Sequence, residues 1–345
     1  MAYLEIHNLA VSYDKTVALR SFSIQASNSD FIVILGPSGS GKSSLLLGIC
    51  GLVPIKSGQI RIAGKRIDGL SPGKRNIAMV FQDGALFPHL DVRQNIELPL
   101  RAAGLQRKKR DHEIAAVSDL LEIRGLLKRK PTQLSGGEKR RVAMARALVK
   151  HPDIFLFDEP LSSLDPHLRH RLIQELIRIH GRVNVPMIYV SHDQSEALEL
   201  ASKIAVLKEG IVQQIDTPER IYEQPSNSFV ASFVGSPPMN IISFSIDDPW
   251  TGHELLRHRV DASEGASAIG FRPEDVHITN GEGAVLERVR TIGADCVCTF
   301  LRGDLIISAR VKRGKKLEIG SQYEISVPRG PIHIFDTAGS RLCSV

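Results

Sequence analysis

A glycine-rich segment near the N-terminus has the composition of a phosphate-binding loop. It follows an apolar run that ends at Leu35 and precedes an apolar segment that begins near Ser44. Backbone N–H groups can converge on phosphate oxygens only where side chains are absent, and a helix that starts there adds positive partial charge. Lys42 is placed to reach the β- and γ-phosphates of ATP, and the Ser43 hydroxyl to ligate Mg²⁺. We expect nucleotide contacts from Gly36, Pro37, Ser38, Gly39, Ser40, Gly41, Lys42, Ser43 and Ser44.

Two carboxylates, Asp158 and Glu159, follow a second apolar run at residues 154–157. In ATPases with a phosphate-binding loop, the first carboxylate after such a strand helps to hold Mg²⁺. The second is placed to act as a general base on the attacking water. Taken alone, this segment fits a buried strand with a solvated acidic end equally well. Together with the glycine-rich loop, it predicts a catalytic pair.

Residues 134–138 form a second candidate anion site. Ser135 is a predicted N-cap, Gly136 and Gly137 leave backbone N–H groups open, and a basic amphipathic helix follows. Glu138 falls in the first helical turn, where the helix dipole favours a carboxylate. One chain therefore offers two phosphate-binding surfaces.

The elements around these motifs predict an α/β domain over residues 1–235. The fully apolar runs 31–35, 154–157 and 187–190 are typical of parallel strands covered on both faces by helices. Apolar residues spaced three to four apart lie between them and predict amphipathic helices.

The sequence pattern changes after residue 235, at Ser236-Pro237-Pro238. Residues 305–311 and 323–327 predict short strands, and we interpret 236–345 as a small β barrel or sandwich. Turns are predicted at Asn280-Gly281, Gly303-Asp304, Arg313-Gly314 and Arg329-Gly330-Pro331.

Composition sets limits on the class of protein. The 345 residues suffice for two domains, and no stretch approaches the ~18 apolar residues that cross a bilayer. The N-terminus lacks a secretory signal, so we expect a cytoplasmic protein that reaches a membrane only through a partner. The net charge of +6 permits anionic partners, but the aromatic residues of the C-terminal region are scattered. We therefore expect no nucleic-acid binding.

The motif at residues 134–138 resembles the signature of the ABC ATPase family, and further motifs extend the resemblance. It implies that Tyr13 stacks on adenine and that Gln82 senses Mg²⁺ and the permease. Asp165, in Ser162-Ser163-Leu164-Asp165, matches the loop that crosses the dimer contact, and His192 the switch histidine at the γ-phosphate. The family fold is a RecA-like core with a helical signature subdomain, here expected at about 88–150.

The C-terminal region is similar to that of ATPase subunits of carbohydrate importers of the maltose and glycerol-3-phosphate type. The similarity is carried by residues 235–240, 271–274 and 332–336 and implies an OB-like (TOBE) regulatory domain at 236–345. It predicts a homodimer at the cytoplasmic face of the membrane, bound to permease subunits. An extracytoplasmic binding protein is expected to deliver the solute to the permease.

In this interpretation two ATP molecules are held between the loop of one chain and the signature of the other. Glu159 and His192 align the water, and Lys42 contacts the phosphates. The sequence leaves alternatives open: an importer of polyamine, iron or sulfate/molybdate, an exporter subunit, or a soluble ABC ATPase acting on nucleic acid or ribosomes.

Overall fold

The computed structural model describes residues 2–14, 16–82, 84–162, 164–243, 265–327 and 331–344. They belong to two compact units, Met1–Pro218 and Glu219–Val345. Ser163 of the predicted dimer-contact loop and Arg329-Gly330 of a predicted turn lie outside the described residues.

The first unit is built on strands of which three are buried along their whole length. Phe31–Leu35, Ile154–Asp158 and Met187–Val190 are buried at every position, as their continuous apolar sequence predicts. The strands are β1 (Leu4–Tyr13), β2 (Thr16–Ala26), β3 (Phe31–Leu35), β4 (Ile55–Ile62), β5 (Lys65–Arg66), β6 (Ile77–Val80), β7 (Ile154–Asp158), β8 (Met187–Val190), β9 (Lys203–Lys208) and β10 (Ile211–Asp216).

These strands form one sheet in the order β5-β4-β1-β2-β10-β9-β3-β8-β7-β6. Strands β9, β3, β8, β7 and β6 pair in parallel, whereas β4, β1 and β2 form an antiparallel part. Because the parallel strands run in one direction, β3, β6, β7 and β8 end at the same edge of the sheet. Open α/β sheets bind ligands at that edge.

Helices connect and cover these strands. Four of them begin at a side-chain cap, at Asp91, Ser135, Asp165 and Asp193, where a side-chain oxygen accepts a hydrogen bond from a backbone N–H of the first turn. The helices are α1 (Lys42–Cys50), α2 (Val92–Ala102), α3 (Arg107–Leu120), α4 (Gly136–Leu148), α5 (Pro166–Val183) and α6 (Gln194–Leu200). Helices α2, α3 and α4 contact one another within the stretch for which the sequence predicts a helical subdomain.

The second unit is all-β apart from short helices. The strands are β11 (Asn240–Ser243), β12 (Ala266–Phe271), β13 (His277–Ile292), β14 (Asp295–Arg302), β15 (Leu305–Lys312), β16 (Gln322–Ser326), β17 (His333–Asp336) and β18 (Arg341–Ser344). They form two antiparallel sheets, β11-β12-β17-β18 and β15-β14-β13-β16, with one core between them that includes Phe271 and Phe300. This all-β unit is the TOBE-like region that the sequence predicts.

One predicted turn is wrong. Asn280-Gly281 lies inside β13, where Asn280 and Ala284 both pair with Tyr323 across a bulge. The strand shifts its register at this bulge and continues, because β16 pairs with β13 both before and after the bulge. The turns at Gly303-Asp304 and Arg313-Gly314 are confirmed.

The division between the two units lies earlier than the boundary predicted after residue 235. Helices α7 (Pro218–Glu223) and α8 (Ser228–Phe233) precede the β strands. The buried Arg272 guanidinium donates hydrogen bonds to the carbonyls of Tyr222, Ala231 and Val234. These helices are thereby attached to the all-β unit.

Candidate nucleotide-binding and catalytic site

The phosphate loop (residues 36–43) connects β3 to α1 in a conformation that depends on glycine. Gly41 has a φ of 97°, and a Cβ atom there would lie 2.3 Å from the Ala18 carbonyl oxygen. A Cβ atom on Gly36 would lie 2.3 Å from the Leu207 carbonyl oxygen. Since no side chain can occupy either position, the backbone lies directly against the strands beneath it.

Lys42 is buried and crosses this loop. Its Nζ donates hydrogen bonds to the Gly36 carbonyl at 2.8 Å and to the Pro37 carbonyl at 2.9 Å. Burial lowers the pKa of the ammonium group, whereas the charges of Glu159 and Asp158 act in the opposite direction. The side chain is therefore held inside the loop with its donors at the place where phosphate oxygens are predicted.

Two observations test whether a nucleotide fits. The Ser40 hydroxyl is buried and finds no hydrogen-bond partner within the described part of the chain. Gly39, at the tip of the loop, has a φ of 79°, and a Cβ atom there would meet nothing within 4 Å. A buried hydroxyl without a partner, in a loop whose tip is open and carries no side chain, fits an anionic ligand.

Ser43 and Asp158 meet across the sheet edge. The Ser43 hydroxyl donates a hydrogen bond to Asp158 Oδ1 at 3.0 Å. Burial raises the pKa of the Asp158 carboxyl, and the bond from Ser43 partly offsets that effect. A cavity of about 460 Å³ is lined by Leu47, Phe81, Gln82, Arg140 and Asp158. Hydroxyl, carboxylate and amide oxygens are a donor set that suits Mg²⁺.

Glu159 follows Asp158 in a backbone conformation that is unusual for glutamate. Its φ is 46°, and its backbone N–H donates to the Val190 carbonyl at 3.0 Å. Glu159 Oε2 lies 3.0 Å from Nδ1 of His192. Left-handed conformations of residues other than glycine are concentrated at functional sites. The structure thus brings together two residues, 33 positions apart, to which the sequence assigns catalysis.

The signature (residues 134–138) starts α4 with a capping box. Ser135 Oγ accepts from the Glu138 N–H at 3.3 Å, and Glu138 Oε2 accepts from the Ser135 N–H at 2.7 Å. The hydrogen bond from the Ser135 backbone holds the pKa of the Glu138 carboxyl below its ordinary value. Glu138 is therefore part of the helix start, and the predicted N-cap at Ser135 is confirmed.

The remaining predicted residues lie apart from this cluster. Tyr13 ends β1 and is 41% exposed. Asp165 Oδ1 accepts from the Leu168 N–H at 3.0 Å and so caps α5. Among the described residues, no hydrogen bond or ion pair joins residues 135–138 to Lys42 or Asp158. One chain thus presents the phosphate loop and the signature as separate surfaces.

Sequence reasoning missed Arg75. This buried guanidinium donates to the carbonyls of Gly48 and Ile49 at the C-terminal end of α1, at 3.0 Å and 2.7 Å. It also donates to the carbonyls of Leu70 and Asp68. The arginine therefore fixes the far end of the helix that starts at the phosphate loop. An isolated arginine before a strand gives no signal of such a role in the sequence.

Comparison with known proteins places this site in a family. A family model described as ABC transporter matches residues 19–162. The sn-glycerol-3-phosphate import ATP-binding protein UgpC of Rhizobium meliloti (strain 1021) is 39% identical, over 99% of this chain and 100% of its own length. UgpC of Paraburkholderia xenovorans (strain LB400) is 37% identical, over 99% of both chains. The chain belongs to the ABC transporter ATP-binding protein family.

Solved structures agree with this family. The ATP-binding cassette MJ0796, in a dimeric post-hydrolysis state bound to ADP and Pi, is 29% identical with a TM-score of 0.59. The match covers 62% of this chain and 98% of the cassette. As a member of the ABC family, the chain binds nucleotide and hydrolyses ATP. Among the helices that the structure describes, none combines the length and hydropathy that spanning a membrane requires.

Proposed function

We propose that this ABC ATPase energises the import of a sugar phosphate or sugar, with a glycerol phosphate as the first candidate. The observation that carries the proposal is the similarity to UgpC proteins at 37–39% identity over nearly the whole chain. This similarity includes the C-terminal all-β unit as well as the ATPase unit. Fold alone assigns no cargo, so the substrate class rests on these relatives.

The residues at the sheet edge have separate roles in binding nucleotide and Mg²⁺. Lys42 contacts the β- and γ-phosphates, and residues 36–44 surround them with backbone donors. The oxygens of Ser43, Asp158 and Gln82 would hold Mg²⁺, which when bound would neutralise charge on the phosphates. The 3.0 Å contact between Ser43 and Asp158 supports this assignment, because it places two of the three ligands side by side.

Glu159 and His192 act on the attacking water and on the γ-phosphate. Glu159 accepts a proton from the water as general base, and His192 orients the Glu159 carboxylate and contacts the phosphate. The 3.0 Å contact between Glu159 Oε2 and His192 Nδ1 supports the pairing. The constrained backbone of Glu159 aims its side chain from the end of β7.

The complete site takes residues from two copies of the chain. The open backbone N–H groups of Gly136 and Gly137, with Ser135 and Glu138, face the nucleotide held by the partner's phosphate loop. Asp165 lies at the contact between the copies, and Tyr13 stacks on the adenine. The dimeric state of the MJ0796 cassette supports this arrangement.

The similarity to import ATP-binding proteins supports the proposed partners. Integral-membrane permease subunits carry the cargo, and an extracytoplasmic binding protein delivers it to them. The ATPase homodimer lies at the cytoplasmic face as a peripheral subunit. The segment after Gln82, which exposes Phe87, is the proposed contact with the permease. No nucleic acid takes part.

Whole-cell uptake tests the proposal. Cells whose chromosomal copy carries Glu159→Gln are compared with the parent, using labelled glycerol phosphate, disaccharides, polyamine, ferric iron and sulfate. Selective loss of glycerol phosphate or sugar uptake is expected. Selective loss of polyamine, iron or sulfate uptake would overturn the substrate class while keeping the importer. Unchanged uptake of every compound would contradict the importer function.

A further inference from the structure

Arg169 occupies a position that helix energetics disfavour. It lies in the first turns of α5, close to the N-terminal end that carries positive partial charge. The side chain is 28% exposed and is directed at two loops of the catalytic edge. Its Nη1 donates to Asp193 Oδ2 at 3.0 Å, and its Nη2 donates to the Leu164 carbonyl at 3.3 Å. These contacts explain why a cation is found there.

The first loop is the switch segment (Ser191, His192 and Asp193). The Asp193 N–H donates to Ser191 Oγ at 2.9 Å, and Ser191 Oγ donates to the buried Glu196 carboxylate at 2.7 Å. Arg169 Nε lies 3.7 Å from Glu196 Oε1. Arg169 therefore faces both carboxylates that contact this segment, those of Asp193 and Glu196.

The second loop is the crossing loop (described residues Ser162, Leu164 and Asp165). Ser162 Oγ donates to the backbone carbonyl of Glu159 at 3.2 Å, so the loop is attached to the catalytic residue at its start. At its end, the Leu164 carbonyl accepts from Arg169. Gly137 of the signature approaches the same loop, because a Cβ atom on it would lie 2.8 Å from Leu164 Cδ2.

We propose that Arg169 is a positioning residue that joins the crossing loop to the switch segment and so sets the place of His192 relative to Glu159. The inference rests on the proposed roles of Glu159 and His192. A displacement of the crossing loop, where the partner chain makes contact, reaches the switch segment through one guanidinium. Hydrolysis thereby depends on the correct seating of that loop, whereas nucleotide binding at the phosphate loop does not.

The fork of the guanidinium is the physical basis of this role. Its nitrogens donate in fixed, divergent directions, so both loops are bound at once. The ammonium group of a lysine is a compact point charge that cannot reproduce this geometry. The Arg169→Lys variant therefore keeps the charge beside Asp193 and Glu196 but loses the simultaneous bridge. Misplacement of a catalytic group by about 1 Å costs on the order of 10²-fold in rate.

The test compares three variants of the full-length protein. Arg169→Lys is expected to lower kcat about tenfold or more, with the dissociation constant for ATP within about twofold of wild type. Arg178→Ala is the matched control, because Arg178 lies on the same helix and pairs with Glu175 at an exposed site. Its kcat and affinity are expected to stay at the wild-type values. Glu159→Gln is measured in parallel.

Each outcome separates this inference from the proposed function. Retention of wild-type kcat by Arg169→Lys, with turnover lost in Glu159→Gln, would overturn the inference alone. A loss of ATP affinity equal to the loss of kcat would overturn it as well, since that pattern marks general damage. Wild-type turnover in Glu159→Gln would instead contradict the catalytic role that the proposed function gives to Glu159.

A double-mutant cycle provides a second measurement. Asp193→Asn keeps the Oδ1 acceptor that caps α6 through the Ser195 N–H at 2.8 Å, but it replaces Oδ2 by a donor facing Arg169. If the two residues act as one bridge, Arg169→Lys/Asp193→Asn has the same kcat as the more impaired single variant. Multiplication of the two single effects would overturn the inference.

Discussion

The phosphate loop and the signature are both glycine-containing helix N-termini, yet the chain completes only one of them. In the phosphate loop, Lys42 and Ser43 are bound by the loop itself and by Asp158 from another strand. In the signature, the side chains of Ser135 and Glu138 contact each other's residue, and Glu138 also the nearby Arg129, within the described part of the chain. In the proposed mechanism, the signature receives the nucleotide that another chain holds. In that mechanism, this difference lets a single subunit bind nucleotide while hydrolysis needs two copies.

The largest effect on turnover is expected from a substitution that leaves the phosphate loop and the signature intact. Glu159→Gln removes the general base but keeps the size of the side chain, so turnover should fall by ~10²-fold or more. ATP binding should persist, because the phosphate loop is intact. Steady-state ATPase assays and equilibrium titration with ATP measure the two quantities. Turnover at the wild-type level would remove Glu159 from this role.

Lys42→Ala disrupts the phosphate loop, the surface that the chain completes by itself. A charge-assisted hydrogen bond contributes about 1.5–3 kcal/mol, so ATP affinity should fall by about 10- to 100-fold. Titration of the purified protein measures it. An exposed lysine such as Lys108 is a suitable control, and Lys108→Ala should bind ATP like wild type. Unchanged affinity of Lys42→Ala would show that the phosphate loop does not bind the nucleotide.

Gly136→Asp tests the signature. Nothing lies within 4 Å of a Cβ atom there, and a carboxylate is favourable in the first turn of a helix, so the subunit should fold. The new charge faces the partner's phosphates, and like charges brought together cost several kcal/mol, so turnover should fall about tenfold or more. ATP affinity of the single subunit should not change. Loss of that affinity would contradict the separation of the two surfaces.

The smallest effect is expected from Glu138→Gln. Glutamine completes a capping box as glutamate does, so kcat and thermal stability should remain within about twofold and a few degrees of wild type. A large loss of turnover would show that the Glu138 charge contacts the nucleotide directly. Assays at low and high salt would then identify that charge effect.

Sequence patterns were sufficient to predict the strands and helix starts that local residues determine. The apolar runs predict β3, β7 and β8, and the Ser135 cap predicts the start of α4. Non-local pairing overruled local preference at Asn280-Gly281, where β16 keeps β13 continuous. Only the strand order brings Glu159 to His192. Arg75 was missed because its acceptors are backbone carbonyls, which no residue pattern encodes. Arg169 was missed because its partners lie in two loops that only the fold brings together.

Sedimentation of the Glu159→Gln protein, with and without ATP, tests most directly that two chains complete each site. We expect ATP to convert the variant from monomer to dimer, and the added Gly136→Asp change to abolish that conversion while ATP stays bound. Persistence of the ATP-dependent dimer in the Glu159→Gln/Gly136→Asp protein would contradict the account. So would an ATP-bound Glu159→Gln protein that remains monomeric at every concentration.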